Sequence, residues 1–235
     1  MPKLHRKRSL LAKIESSYGT DPTPTGSSNY VEVVDLEIEP VASDEVEIET
    51  IRPYPGNYPV LLANTRVNLS FGVYMVGSGS AGTPPKYDPI LLASGLSKNV
   101  VSSTSVTYTP STLASQDSCT FHVNYDGVRH KITGARGTFS ISCAVNEIPR
   151  INFEMQGIFN TPTDTALPTV SKSLQPDPVL FKNGNTSSFS IFGFSAALQS
   201  WELDFANEVI YRELVGGTKE ACLLYTSDAA DDRVS

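Results

Sequence analysis

Cysteine, histidine, methionine and tryptophan are all scarce here: three, three, three and one among 235 residues. Cys119, Cys143 and Cys222 have no metal-ligand spacing and are too few for a disulfide framework, which points to a reducing compartment. No apolar run approaches the ~20 residues of a membrane-spanning helix. Leu10-Leu11 is far too short for the core of a secretory leader. The expectation is a soluble protein made and kept in a cytoplasm, with no membrane partner. Signature motifs are missing too: no Walker A, no G-x-S-x-G and no H-E-x-x-H. Gly77 to Gly82 matches G-x-G-x-x-G, but Thr83-Pro84-Pro85 follows where a helix should open, and Val100 to Ser103 carries no acid. It reads as a flexible loop. His122 and His130 flank the Asp126-Gly127 turn at opposite parity, while His5 lies far away, so neither a metal nor any other cofactor is expected. The acids sit along strand faces rather than singly in apolar settings, which leaves little support for an enzyme.

What is abundant is alternation. Apolar content of 40% suffices for a core, while charged content is only 18%. From Ser118 to Phe159 the chain reads as an antiparallel meander. Cys119, Phe121, Val123 and Tyr125 alternate with Thr120, His122 and Asn124, and Asp126-Gly127 suits a type I′ hairpin. Val128, His130 and Ile132 return, a Gly134-to-Gly137 turn is expected, and Phe139, Ile141, Cys143 and Val145 follow. Glu147-Ile148-Pro149 breaks the run before Ile151, Phe153 and Met155. The apolar set should form the core, and the Ser, Thr and Asn face a surface for neighbouring subunits. Val67, Leu69, Phe71, Val73 and Met75 mark another long strand. Trp201, Leu203 and Phe205 mark a further one, with Trp201 expected in the core. Tyr87 to Gly95 predicts one short helix, with Asp88 as N-cap, Pro89 at its first position and Gly95 as its stop. Thr161 to Pro178 reads as a long connection, functional or ordered by a partner.

Charge is unevenly spread. Residues 1–13 hold Lys3, Arg6, Lys7, Arg8 and Lys13 and no acid. Leu10, Leu11 and Ile14 fall on one helical face, so this segment is expected as an arm that orders against a neighbouring subunit. From Ile14 to Ile51 no Lys or Arg occurs, and Leu36 to Glu39 and Val46 to Glu49 alternate apolar with acid. Two strands with acidic outer faces are expected, interrupted at Pro40. At the other end, Cys222-Leu223-Leu224-Tyr225-Thr226-Ser227-Asp228-Ala229-Ala230-Asp231 resembles a translated sequencing adapter read through at the end of a DNA fragment. Setting residues 222–235 aside removes two of the seven net negative charges and implies a truncated native C-terminus. The domain expectation is an arm and linker at 1–28, one β domain at 29–221 and a non-native tail at 222–235.

The order of these pieces resembles one family, the major tail tube protein of long-tailed, non-contractile (siphovirus-like) phages. The resemblance rests on Lys7 to Glu15 with Tyr18 to Thr25, on Ile51 to Tyr54, the Gly77–Gly82 loop and Leu91 to Leu96. The hairpin Asp126 to Thr138 is the most telling, joined by Glu147 to Pro149, Pro162 to Asp164 and Val209 to Arg212. It implies a mainly β fold, an antiparallel sandwich or barrel with one flanking helix and an N-terminal arm. It further implies a structural virion protein polymerising as stacked, usually hexameric rings into a tube that conducts double-stranded DNA from capsid to host. Implied partners are the protein itself, tail terminator, tape measure and baseplate proteins, with assembly in the host cytoplasm and a final place in the virion tail. Leu10, Leu11 and Ile14 are the expected subunit contacts. Glu37, Glu39, Glu47 and Glu49 are the expected acidic lumen lining, since like charge keeps DNA from sticking. Two rivals are a tube component of a bacterial injection apparatus and a carbohydrate-binding sandwich. The latter needs an exposed aromatic platform, which the sequence does not suggest.

Overall fold

A computed structural model describes residues 7–112, 116–173, 175–186, 190–195, 197–213 and 219–224. His5, Phe189, Val215 and the tail from Tyr225 lie outside the described residues. The described residues form one large antiparallel sheet, two short helices and three small hairpins. The sheet runs β2 (Tyr30–Val31), β1 (Arg8–Ile14), β7 (Cys119–Tyr125), β8 (Val128–Ala144), β9 (Arg150–Phe159), β4 (Val60–Tyr74), β3 (Val34–Glu47). β10 (Thr163–Asp164) and β13 (Ser200–Asp204) also pair with β8.

The sheet curls on itself. β4 and β7 are three places apart in the strand order, yet Phe71 meets Phe121 edge-on at 5.9 Å and stacks on Phe153 at 5.4 Å. Twist accumulated over seven strands brings the two edges round, so one apolar face closes over Leu10, Val73, Val123, Ile132 and Phe139. The open side is plugged by α2 (Asp88–Ala93), whose Ile90 and Ala93 are fully buried. The helix signals act one residue late: Tyr87 is the N-cap, Pro89 sits in the first turn, and Gly95 takes φ 87° just beyond Ser94. The β5 (Leu96–Val101) and β6 (Ser105–Pro110) hairpin is tied to α2 through Asp88, which accepts from Tyr108 Oη and Lys98 Nζ, both at 2.6 Å.

Four local expectations are corrected. Arg8–Ile14 is not a helical arm but a strand, with seven register pairs to β7. Ser9, Leu10, Leu11 and Ala12 are all buried, and burial on both faces erases the period-2 signature that would have marked a strand. An isolated helix this short would be marginal, whereas the ladder is available. Gly134 to Gly137 is not a turn but a bulge inside the continuous 17-residue β8. Gly134 adopts φ 60°, and a Cβ on Gly137 would sit 2.1 Å from Glu154 O, so only glycine lets β9 approach there. Pro40 does not interrupt its strand. β3 continues through it with three register shifts, because an edge strand tolerates a missing donor. The loop Gly77 to Gly82 is stitched rather than slack: Ser78 Oγ reaches Thr83 O at 2.7 Å, and Gly82 packs on the backbone of Val101 to Ser103.

The long connection from Thr161 to Pro178 is ordered by its own chain. Gln175 exchanges two hydrogen bonds with the Glu32 backbone, at 2.9 and 3.0 Å, and Ser171 N donates to Gly26 O beside α1 (Gly26–Asn29).

Candidate assembly surface

β4 has two halves. From Arg66 to Tyr74 it lies between β3 and β9, but Val60 to Thr65 pairs with β3 alone. Beyond Ala42, then, β3 and β4 form a two-stranded ribbon standing off the sheet. A ribbon with no third strand and no second layer cannot bury either face. Val46, Val60, Leu61 and Leu62 are therefore 52%, 42%, 58% and 59% exposed, and Ile51 and Tyr54 at the connecting loop are also bare. Asp44 braces the ribbon's base by accepting from Asn64 at 2.7 Å and Arg66 at 3.3 Å. These two donors hold its carboxyl below its usual range. Asn64 itself takes φ 51° near a register shift. A concentration of bare apolar side chains on a projecting element is the mark of a protein interface.

The sequence-predicted acids separate. Glu37 and Glu39 lie on the outward face of the main sheet, while Glu47 ends β3 on the ribbon and Glu49 lies just past it. Around Glu37 and Glu39 the register assembles a polar face from distant segments. Glu37 pairs with Ser70, which pairs with Glu154, which pairs with Thr138. Glu39 accepts from Asn68 at 2.6 Å, and Asn68 Oδ1 accepts from Gln156 at 3.0 Å. Glu37, Glu39, Glu154 and Glu208 together line a groove of about 660 Å³, and Asp204 joins Glu154 and Glu208 in the hollow beside it. Arg150 lies 2.7 Å from Asp35 on the same side, and Arg66, two residues before Asn68 on β4, lies 3.3 Å from Asp44. Sequence reasoning missed Glu154, Asp204 and Glu208. Glu154 and Asp204 do alternate with apolar residues, but nothing in one strand shows which other strands lie beside it.

The remaining expected residues land elsewhere. Leu10 and Leu11 are 0% and 1% exposed, filled by this chain's own core, and Ile14 is half-buried. Thr120, His122 and Asn124, the polar face of the meander, are also buried, at 0%, 3% and 1%. In place of a neighbouring subunit, this chain's own polar network covers them. Glu15 accepts from Thr120, Ser118 and the amides of Gly19 and Gly134, all between 2.5 and 2.7 Å. His122 and His130 pair with Lys131 and Val123 respectively, on opposite faces. Cys119 and Cys143 are buried free thiols, and burial raises the Cys119 thiol well above its usual range. Trp201 is half-buried, in register with Cys143. Exposed aromatics do exist, contrary to expectation: Phe192 and Phe194 at the β11–β12 hairpin (Ser190–Ile191, Phe194–Ser195), and Tyr54 and Tyr58 near the ribbon, Tyr58 under the Arg52 guanidinium.

The third small hairpin, β14 (Glu208–Arg212) with β15 (Glu220–Leu224), reaches into the stretch set aside above. Ala221 and Leu223 are fully buried, while Cys222 is half-buried between them. Ala221 N donates to Tyr18 Oη at 2.6 Å, and Arg136 donates to Ala221 O at 2.9 Å.

Among the described residues no helix is long and apolar enough to cross a membrane, and no cluster of three metal-binding side chains occurs. The model of the phage tail tube protein family matches residues 6–227. The chain belongs to the phage tail tube protein family. That family's role is structural, and its mainly antiparallel β architecture is the one described above. No curated protein sequence matches. Among solved structures the chain is similar to the tube-terminating cap of an anti-feeding prophage, at 12% identity and TM-score 0.41 over 70% of this chain and 93% of that one. It is also similar to a chain of the extended sheath–tube complex of an extracellular contractile injection system, PVC, at 10% identity and TM-score 0.40 over the same shares.

Proposed function

We propose that copies of this chain stack as rings, six to a ring, into a phage tail tube that conducts double-stranded DNA. The projecting ribbon carries the proposal: a run of bare apolar side chains from Val46 to Leu62 that the described residues leave uncovered. In a tube the ribbon lies against a neighbouring copy, and Ile14 adds to the contact from the end of β1. The DNA-facing wall is the acidic face of Glu37, Glu39, Glu154, Asp204 and Glu208, continued onto the ribbon by Glu47 and Glu49. Like charge there leaves passing DNA without the counterion release that would hold it. Tail terminator, tape measure and baseplate proteins meet the ends of the tube, which forms in the host cytoplasm and remains in the virion tail. The chain works as a scaffold rather than as an enzyme.

Negative-stain microscopy of the purified chain tests this. Wild type is expected to form rings or tubes. A Leu61→Asp, Leu62→Asp double variant is expected to stay monomeric with an unchanged circular dichroism spectrum. A wild type that stays monomeric at high concentration overturns the tube. A double variant that polymerises normally removes the ribbon from the contact.

A further inference from the structure

The segment that follows β1 crosses the outer face of β1 and β7 and is held there by a few polar contacts. Asp21 is the centre of them. Its carboxylate meets His122 Nε2 at 3.2 Å through each oxygen, Lys131 Nζ at 3.2 Å and its own Thr23 N at 2.8 Å. Lys13 Nζ donates to Pro22 O at 2.8 Å, and Gly19 N donates to Glu15. Thr23 is held at φ 51°, a left-handed conformation that a β-branched residue avoids. The crossing is therefore strained as well as tied, and strain of this kind persists only where the surroundings enforce it.

The partner of Asp21 is unusual. His122 is 97% buried, and its Nδ1 has no hydrogen-bond partner. A carboxylate only accepts, so Nε2 carries the proton and Nδ1 presents a bare lone pair. We propose that the Asp21–His122 contact is a proton-operated latch, which pins residues 19–25 to the outer face of the sheet near neutral pH and releases them in mild acid.

The physical reason is the buried Nδ1. A second proton would place an N–H where nothing accepts it, at the cost of an unpaired buried donor. The charged groups around the ring are Asp21 on the crossing segment, Arg129 and Lys131 on β8, and Lys13 and Glu15 at the end of β1. Burial is the largest influence and lowers the proton affinity of His122. Asp21 opposes it, while Arg129 and Lys131 reinforce it, and the net direction is down. Asp21 itself stays ionised: burial raises its carboxyl, but Thr23 N, His122 and Lys131 together hold it below the usual range. The sign follows. The closed form binds the His122 proton more weakly than an open form, in which the ring returns to an ordinary value of about 6.5. The latch is fully favoured above that value and loses ground as pH falls through it. Opening relieves Thr23 and bares Thr120, His122, Lys13 and Lys131, which changes what the outer face of β1 and β7 offers to another molecule. None of this depends on the tube.

Hydrogen exchange on the full chain at pH 7.5 and 5.5, corrected for the intrinsic pH dependence of exchange, tests the latch. Amides of residues 19–25 are expected to lose several-fold protection in acid while the β7–β8 pair holds. His122→Gln keeps an amide donor for Asp21 and cannot titrate, so its segment is expected to show no pH dependence. Asp21→Asn is expected to lose protection at both pH values. Equal wild-type protection at the two pH values overturns the latch, as does a His122→Gln segment that opens in acid like wild type. If His122→Gln fails to fold, the wild-type His122 ring is titrated by NMR. A midpoint below the ordinary histidine value supports the latch, and one at or above it overturns the latch.

Discussion

β4 is one strand with two fates. Val67, Leu69, Phe71 and Val73 are between 0% and 3% exposed, while Val60, Leu61 and Leu62, a few residues earlier, are between 42% and 59% exposed. Both halves pair with β3. They differ in what lies beside and beneath them. The first set has β9 on its other edge and the curled sheet under it, and the second has neither. Burial in a β protein is thus a property of the layers around a strand, not of the strand's composition. The same side chains that hold the domain together at one end are left free at the other to hold copies together.

Substitutions at the two ends should separate these roles. The largest effect is expected from Phe153→Ala, which removes the ring packed between Phe71 and Phe139 and costs about 3–5 kcal/mol. Chemical denaturation measures it, and a loss under 1 kcal/mol would mean that the core is not seated there. Glu15→Ala should come next. It strands two buried hydroxyls and two amides, at about 2–4 kcal/mol for the group. A Tm close to wild type would show that water replaces the carboxylate. At the free end, Leu61→Asp with Leu62→Asp should move folding stability by no more than about 0.5 kcal/mol per site while abolishing assembly in sedimentation velocity. A large stability loss would instead mean that the ribbon folds back onto its own domain. The smallest effect on stability is expected from Glu37→Lys with Glu39→Lys, within about 0.5 kcal/mol per site. Its readout is retention of DNA by assembled tubes, steeply weakened by salt. Unchanged DNA binding would place this face outside the lumen.

The meander shows how far local pattern carries. Alternation from Cys119 to Met155 placed the strands, because residues 121, 123, 139 and 153 all reach one core. Asp126-Gly127 placed the two-residue β7–β8 hairpin, but only Gly127 takes a left-handed φ, 95°, so the turn is not the expected type I′. The same logic failed where burial is two-sided. Ser9 to Ala12 carry no period because both faces of β1 are covered, and the strands paired on its two edges lie 19 to 117 residues later in sequence. It failed again at Gly134 to Gly137, where glycine serves close strand approach rather than reversal. The acidic face was half legible: Glu37 and Glu39 stand out in their strand, but Glu154, Asp204 and Glu208 join them only through register.

Residue order alone settles the class of this molecule, an alternating β chain with little helix, because period and turn chemistry act over a handful of neighbours. Which polar face is wet is settled only by the fold. Thr120, His122 and Asn124 read as surface and are buried under their own chain, while Leu61 and Leu62, apolar and on a strand, stand in solvent. Exposure depends on contacts between segments far apart in sequence, and no local pattern carries that information.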